Sequence, residues 1–318
     1  MTKNLKYFLI PFVLSFPFFW GVNFLEADLE DIFYYQEITS NPKILAAQAN
    51  QMALEQKFRS LKPLRYNNAA DLDVTARSAI SLLVNNQGEK RILFSKDIDE
   101  RLPIASLTKL MTAYVVLENY DLSKEIVISK EAIAQEENFG QLKVGQVISV
   151  KNLLYPLLIE SSNDAAFSLA NDYNGMTEEA FVDLMNLEAK KLGLKNTYFL
   201  NATGLDLDEL NKTNYSSSRD LAALSQELLK TTLIWQILNA ERINLYGVEL
   251  ENSNKLLGKL PAIIGGKTGY TEEALGCFLL ILEAPKNNRY LINVVLGAKD
   301  RFGQMEELIN WVNKAYKW

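Results

Sequence analysis

The chain has 318 residues, 48% of them hydrophobic and 23% charged, enough to bury a full core in one large domain or two small ones. Lysine and arginine number 33 against 39 aspartates and glutamates, a net charge of −6 with no basic run, which disfavours binding nucleic acid by phosphate neutralisation. With no histidine and one cysteine, Cys277, there is no internal disulfide to form, and no zinc, other transition metal or cofactor is expected.

The N-terminus reads as separate from the globular body. Residues 7–25, YFLIPFVLSFPFFWGVNFL, are uncharged and largely apolar, with Lys3 and Lys6 before them and Glu26, Asp28, Glu30 and Asp31 after. Positive before and negative after orients the segment with its N-terminus in the cytoplasm and the rest of the chain exported. A cleaved signal peptide would want a shorter apolar core and a small-x-small site, which Leu25-Glu26-Ala27 fits poorly. An uncleaved anchor is long enough to span, although Pro11 and Pro17 weaken its helix. The anchor is favoured, with the cleaved signal as the alternative. The expected organisation is an anchor or signal at residues 1–27, a stalk at 28–70 with a helical stretch near 43–61, and a folded body at 71–318.

In the body, residues 78–84 and 89–94 read as two strands around an Asn-Asn-Gln-Gly turn. A helical run follows at 105–119, and helical patterns continue at 151–171, 178–191 and 218–229. Extended character returns at 276–283 and 290–296 around a second turn, and a last helix is expected at 304–316. Strands at both ends with a helical block between them predict an α/β (α+β) fold: one antiparallel sheet built from both chain ends, flanked by helices, beside a mainly helical lobe.

Three segments carry side chains suited to acyl transfer. Ser106 and Lys109 lie three apart in the run Ile104 to Leu117, apolar nearly all round, where a lysine is costly unless it has a task. That spacing puts the amine within reach of the hydroxyl, and burial would lower its pKa enough to make it a base. Taken alone the motif is weak, because Ser40-Asn41-Pro42-Lys43 matches it too. Ser161-Ser162-Asn163 offers a hydroxyl to relay a proton and an amide to hold a carbonyl; a helix cap is the plain alternative. Lys267-Thr268-Gly269 reads as an edge strand bearing a cation and a hydroxyl, where a Gly-rich turn with an exposed lysine is the alternative.

The order S-x-x-K, S-x-N, K-T-G resembles the penicillin-binding protein and serine β-lactamase superfamily. The surrounding residues, Arg101 to Thr112, Leu142 to Gln146, Ser162 to Ala166, Asn201 to Asp206, Ser218 to Ala222 and Lys267 to Ala274, resemble the low-molecular-mass D-alanyl-D-alanine carboxypeptidases of peptidase family S11. The resemblance implies the β-lactamase/transpeptidase-like fold, a peptidoglycan stem peptide as substrate, and β-lactams as acylating inhibitors. It implies Ser106 as nucleophile, Lys109 as base, Ser161 as proton relay and Asn163 as the residue fixing Lys109 and the substrate amide. Lys267, Thr268 and Gly269 would bind the terminal carboxylate, with Arg301 near it. Lys267 would also help to keep Lys109 neutral, and the backbone N–H groups of Ser106 and Tyr270 would hold the oxyanion. Arg219 reads as structural.

The departures from the family pattern are local. Ser162 stands where glycine is usual, at a position expected to face away from the site. Leu275-Gly276-Cys277 shifts a glycine by one place, with a consequence expected for the strand after K-T-G. Residues 211–215 replace a segment that often carries histidine. Many relatives continue into a β-rich domain with an amphipathic anchor, so the N-terminal segment is expected to anchor this chain. Competing readings are a β-lactamase, for which a Glu-x-x-Leu-Asn loop is absent between Asn163 and Lys267, a peptidoglycan endopeptidase or transpeptidase, and a catalytically silent peptidoglycan-binding scaffold.

Overall fold

A computed structural model describes residues 63–318 except 86–87, 138, 207–211 and 286–288, together with helical positions between 43 and 52. The chain divides into two units, Met1–Leu64 and Arg65–Trp318. In the first, the described helical positions are all exposed, and the stalk's Leu45 and Met52 face solvent with them. The apolar run at 7–25, Ser40 and the tips of both expected hairpins lie outside the described residues. Among the described residues, no helix is long and apolar enough to cross a membrane.

The second unit is organised on an antiparallel sheet of β1 (Ser78–Asn85), β2 (Lys90–Lys96), β3 (Ile263–Thr271), β4 (Leu275–Glu283) and β5 (Arg289–Ala298), in the spatial order β3-β4-β5-β1-β2. The aliphatic runs of β1 and β4 are buried almost throughout, as expected of strands covered on both faces. Alternation then sorts the side chains. Cys277, Leu279 and Ile281 enter the larger core, whereas Phe278, Leu280 and Leu282 enter a second core with Met305, Leu308, Ile309 and Val312. The second core belongs to the last helix.

The helices are α1 (Thr108–Asn119), α2 (Lys130–Ile133), α3 (Val150–Ile159), α4 (Asn163–Asn171), α5 (Glu178–Lys191), α6 (Ser218–Leu228), α7 (Thr232–Asn239) and α8 (Arg301–Ala315). Two departures from the expected boundaries bear on the site, besides a last helix that starts at Arg301 rather than at 304. Residues 105–107 form a 3₁₀ turn before α1, so the serine sits on a tighter coil than its lysine. The single helix expected at 151–171 is two: α3 stops at Ile159, Ser161 takes φ 67°, and Ser162 caps α4 by accepting from the Ala165 N–H. Apolar periodicity runs through this break and hides it; the cap is the signal that marks it.

Candidate active site

The site lies where the α1 turn, the α3–α4 break and the edge strand β3 meet. Ser106 occupies the 3₁₀ turn, after Ala105 at φ 47°, a conformation that costs a β-carbon-bearing residue about 1–2 kcal/mol. Two glycines hold that turn by close approach. A Cβ at Gly269 would stand 3.0 Å from both the Ile104 carbonyl oxygen and the Ser106 nitrogen, and one at Gly204 only 2.2 Å from the Ala105 oxygen. A side chain at Gly204 would overlap the backbone, and one at Gly269 would press the serine turn out of place.

Lys109 lies one turn on and is fully buried. Its Nζ is 3.0 Å from Ser106 Oγ, 2.6 Å from Asn163 Oδ1 and 2.5 Å from the Thr203 carbonyl oxygen. Burial pushes its ammonium down to about 7, while the negative charges of Glu137 and Asp164 pull the other way. Lys267 is equally buried and donates to Ser161 Oγ at 2.7 Å and to the Thr268 carbonyl at 2.8 Å. Its ammonium too is held well below the ordinary lysine range, first by burial and then by the positive charges of Lys109 and Arg301. Two buried amines so placed cannot both carry a proton cheaply.

The S-x-N segment works as three different positions. Ser161, in its left-handed conformation, faces Lys267. Ser162 is buried, caps α4 and pairs with Asp164, so it faces away from Lys109, and Gly140 abuts its hydroxyl. Asn163 accepts from Lys109 with its oxygen and donates to the Glu136 carbonyl at 2.8 Å, which ties the turn at Glu136 to the site. Thr268 Oγ1 is 2.7 Å from Ser253 Oγ, and the Ser253 N–H donates to the Ile159 carbonyl at the end of α3. Ser253 thus links K-T-G to S-x-N. In the sequence it is one polar residue in a polar stretch, with nothing to single it out.

Tyr270 exposes its ring, with the Arg301 guanidinium 6.0 Å from the ring centroid and 4.9 Å from that of Phe302. Arg301 is half-buried in the first turn of α8, and its Nε has no hydrogen-bond partner among the described residues. The displaced glycine explains its seat. Leu275 carries φ 55°, while a Cβ at Gly276 would stand 2.6 Å from the Ala298 oxygen and 3.0 Å from Arg301 Cβ. The pairing of β4 with β5 is irregular at the same point. Arg219 forms a paired contact with Asp99 at 2.6 and 2.9 Å on the surface, away from these groups. Sequence motifs single out no role for Thr203, Asn201 or Asn214, although the Thr203 carbonyl bonds Lys109 and the two asparagine side chains bond the backbone on either side of it.

A serine hydroxyl against a buried lysine amine, beside a second hydroxyl held by a second amine, is an arrangement chemically suited to serine–lysine acyl transfer, and it stands on the penicillin-binding-protein fold. Penicillin-binding protein D2 of Listeria monocytogenes, solved in its cefotaxime-bound form, is 31% identical with a TM-score of 0.64, covering 77% of this chain and 99% of that one. The Streptomyces K15 DD-transpeptidase is 28% identical with a TM-score of 0.69 over the same shares. The peptidase S11 family model, D-alanyl-D-alanine carboxypeptidase, matches residues 65–300, and the chain belongs to that family. Among curated relatives, the D-alanyl-D-alanine carboxypeptidase DacF of Bacillus subtilis is 34% identical over 255 residues, 76% of this chain and 64% of the relative. A D-alanyl-D-alanine endopeptidase of Pseudomonas aeruginosa is 35% identical over 246 residues, 73% of this chain and 76% of the relative. The chain thus spans 64% of the length of DacF, and the same share of DacC of Escherichia coli.

Proposed function

We propose that the protein is a serine-type D-alanyl-D-alanine carboxypeptidase that removes the terminal D-Ala of peptidoglycan stem peptides. The observation that carries this reading is the buried Lys109 amine, 3.0 Å from Ser106 Oγ and held near neutrality. Ser106 Oγ attacks the carbonyl carbon between the two D-alanines as Lys109 takes its proton. The N–H groups of Ser106 and Tyr270 receive the charge on the carbonyl oxygen. Collapse breaks the peptide bond, and the proton held by Lys109 passes by way of Ser161, backed by Lys267, to the departing amine, which leaves Lys109 neutral again. Lys267 and Thr268 hold the substrate carboxylate, with Arg301 adding positive charge nearby. Water, deprotonated by Lys109, then attacks the acyl carbon, the bond to Ser106 Oγ breaks, and Lys109 returns the proton to Oγ. A β-lactam enters by the same attack and leaves slowly.

The reading includes an exported, membrane-anchored protein, supported by the charge pattern around residues 7–25. A second reading, cleavage of cross-linked peptides, is favoured by the likeness to the Pseudomonas aeruginosa endopeptidase. The test uses the full chain in detergent micelles with a fluorescent penicillin, a diacetyl-Lys-D-Ala-D-Ala peptide and a cross-linked muropeptide. Stable labelling lost in Ser106→Ala, with D-Ala released from the peptide, supports the carboxypeptidase. Faster turnover of the muropeptide selects the endopeptidase, rapid penicillin hydrolysis a β-lactamase, and no labelling a silent scaffold. Carbonate-resistant recovery of the intact chain in the membrane fraction tests the anchor, and a mature N-terminus near residue 28 would refute it.

A further inference from the structure

We propose that Thr112, Asn201 and Asn214 are positioning residues for acyl transfer: they seat the main-chain carbonyl of Thr203 against Lys109 so that the amine turns its lone pair toward Ser106. This rests on the acyl-transfer reading above and extends it to residues that touch no substrate.

The argument begins with counting donors. A neutral amine has two N–H bonds and one lone pair, and Lys109 Nζ has three polar neighbours. Asn163 Oδ1 and the Thr203 carbonyl can only accept, so they take both N–H bonds. The remaining direction is the lone pair, and it faces Ser106 Oγ, the one neighbour that has a proton to give. Remove the Thr203 carbonyl, and the second N–H can rotate onto Ser106, leaving the lone pair aimed elsewhere. The carbonyl therefore decides which end of the amine meets the nucleophile.

A main-chain carbonyl in a loop holds such a place only if the loop is fixed, and this one is fixed from three sides. Thr112 Oγ1, on the buried side of α1 one turn after Lys109, donates to the Ala202 carbonyl at 2.7 Å. Asn201 Oδ1 accepts from the Gly204 N–H at 2.7 Å and from Thr203 Oγ1 at 3.2 Å, so its amide closes a turn around Thr203. Asn214 is fully buried and joins this loop to the nucleophile's segment. Its Nδ2 donates to Thr108 Oγ1 at 2.9 Å and to the Asn201 carbonyl at 3.0 Å, its Oδ1 accepts from the Leu200 N–H at 2.7 Å, and its carbonyl accepts from the Ile104 N–H at 3.2 Å. Gly204 completes the fit by pressing on the Ala105 carbonyl. One buried amide thereby sets the register between the serine turn and the carbonyl that orients its base.

The test is pre-steady-state acylation of the full chain in micelles by a fluorescent penicillin, normalised to the acylatable fraction, across pH from about 5 to 9. The charged groups acting on Lys109 are Glu137 and Asp164, with Lys267 across the site, and the variants leave all three in place. Thr112→Val deletes one hydroxyl at constant volume. Its plateau rate is expected to fall about ten- to a hundredfold, the scale of a misaligned reacting group. Because a loosened carbonyl no longer favours the ammonium, its acid midpoint is expected to move down by roughly half a pH unit. Thr112→Ser, which keeps the hydroxyl, is expected to restore both. Should Thr112→Val fail to fold, Thr203→Val, which frees the turn from Asn201, replaces it with the same expected outcome. A variant that acylates like wild type, or loses only active fraction with an unmoved midpoint, overturns the positioning role. A wild-type chain that never acylates overturns the acyl-transfer reading and the positioning role with it.

Discussion

Lys109 and Lys267 are both fully buried and both stripped of their ordinary affinity for a proton, yet their surroundings differ. Lys109 sits on a helix with three polar partners fixed around it and negative charge from Glu137 and Asp164 acting on it. Lys267 sits on an edge strand, bonded to a serine hydroxyl and its own strand, and repelled by Lys109 and Arg301. Burial alone would make the two equivalent. In the proposed function these partners fit Lys109 to moving a proton and Lys267 to meeting an anion, because among the described residues no carboxylate forms an ion pair with Lys267.

The sharpest way to break that assignment is to exchange the consequences. Lys109→Ala is expected to lower penicillin acylation by about 10³-fold or more, the range of a lost general base, in rapid-quench measurements. Lys267→Ala is expected to cost less with penicillin, about 10²-fold, and to act mainly through KM for peptides ending in a carboxylate. An equal loss in kcat and KM across amidated and free peptides would abolish the distinction.

The proton itself gives the next test. Acylation needs neutral Lys109, so its rate is expected to rise with pH through about 7 and to fall away below it. Stability carries the same sign. The folded lysine is depressed to about 7, so between that pH and the ordinary lysine range the unfolded chain holds the extra proton and stability rises with pH. Lys109→Met should accordingly raise the Tm at pH near 6, where the burial penalty is complete, and lose that advantage as pH climbs toward about 10. A constant difference in calorimetry across that window would show that burial is not what depresses the amine. The smallest effect is expected at Ser253→Ala, which frees Thr268 Oγ1 and should change acylation by about threefold or less, the scale of one neutral hydrogen bond.

Much of this was legible in the sequence, for identifiable reasons. Strands β1 and β4 announce themselves by largely apolar runs, α5 by its helical pattern, and S-x-x-K by a lysine too deep in an apolar helix to be idle. What the sequence hid depends on backbone rather than on side-chain type. The α3–α4 break rests on one residue at φ 67°, and Leu275 takes φ 55° beside a glycine that makes room for Arg301. Thr203 meets Lys109 through its carbonyl, which every residue has. Asn214 looks like any loop asparagine until both of its neighbours in space are known.

The sheet's order has a consequence for timing. Strand β1, near the start of the folded unit, pairs with β5 near its end, Ser78 opposite Leu296 and Asn85 opposite Arg289. Contacts of such sequence separation form late and slowly, since a long loop must close first. A growing chain therefore presents its serine and first lysine long before the strand carrying the second lysine exists to meet them. On the proposed function, a chain truncated before β3 is expected to take no label from a fluorescent penicillin, because the strand that carries Lys267 is missing.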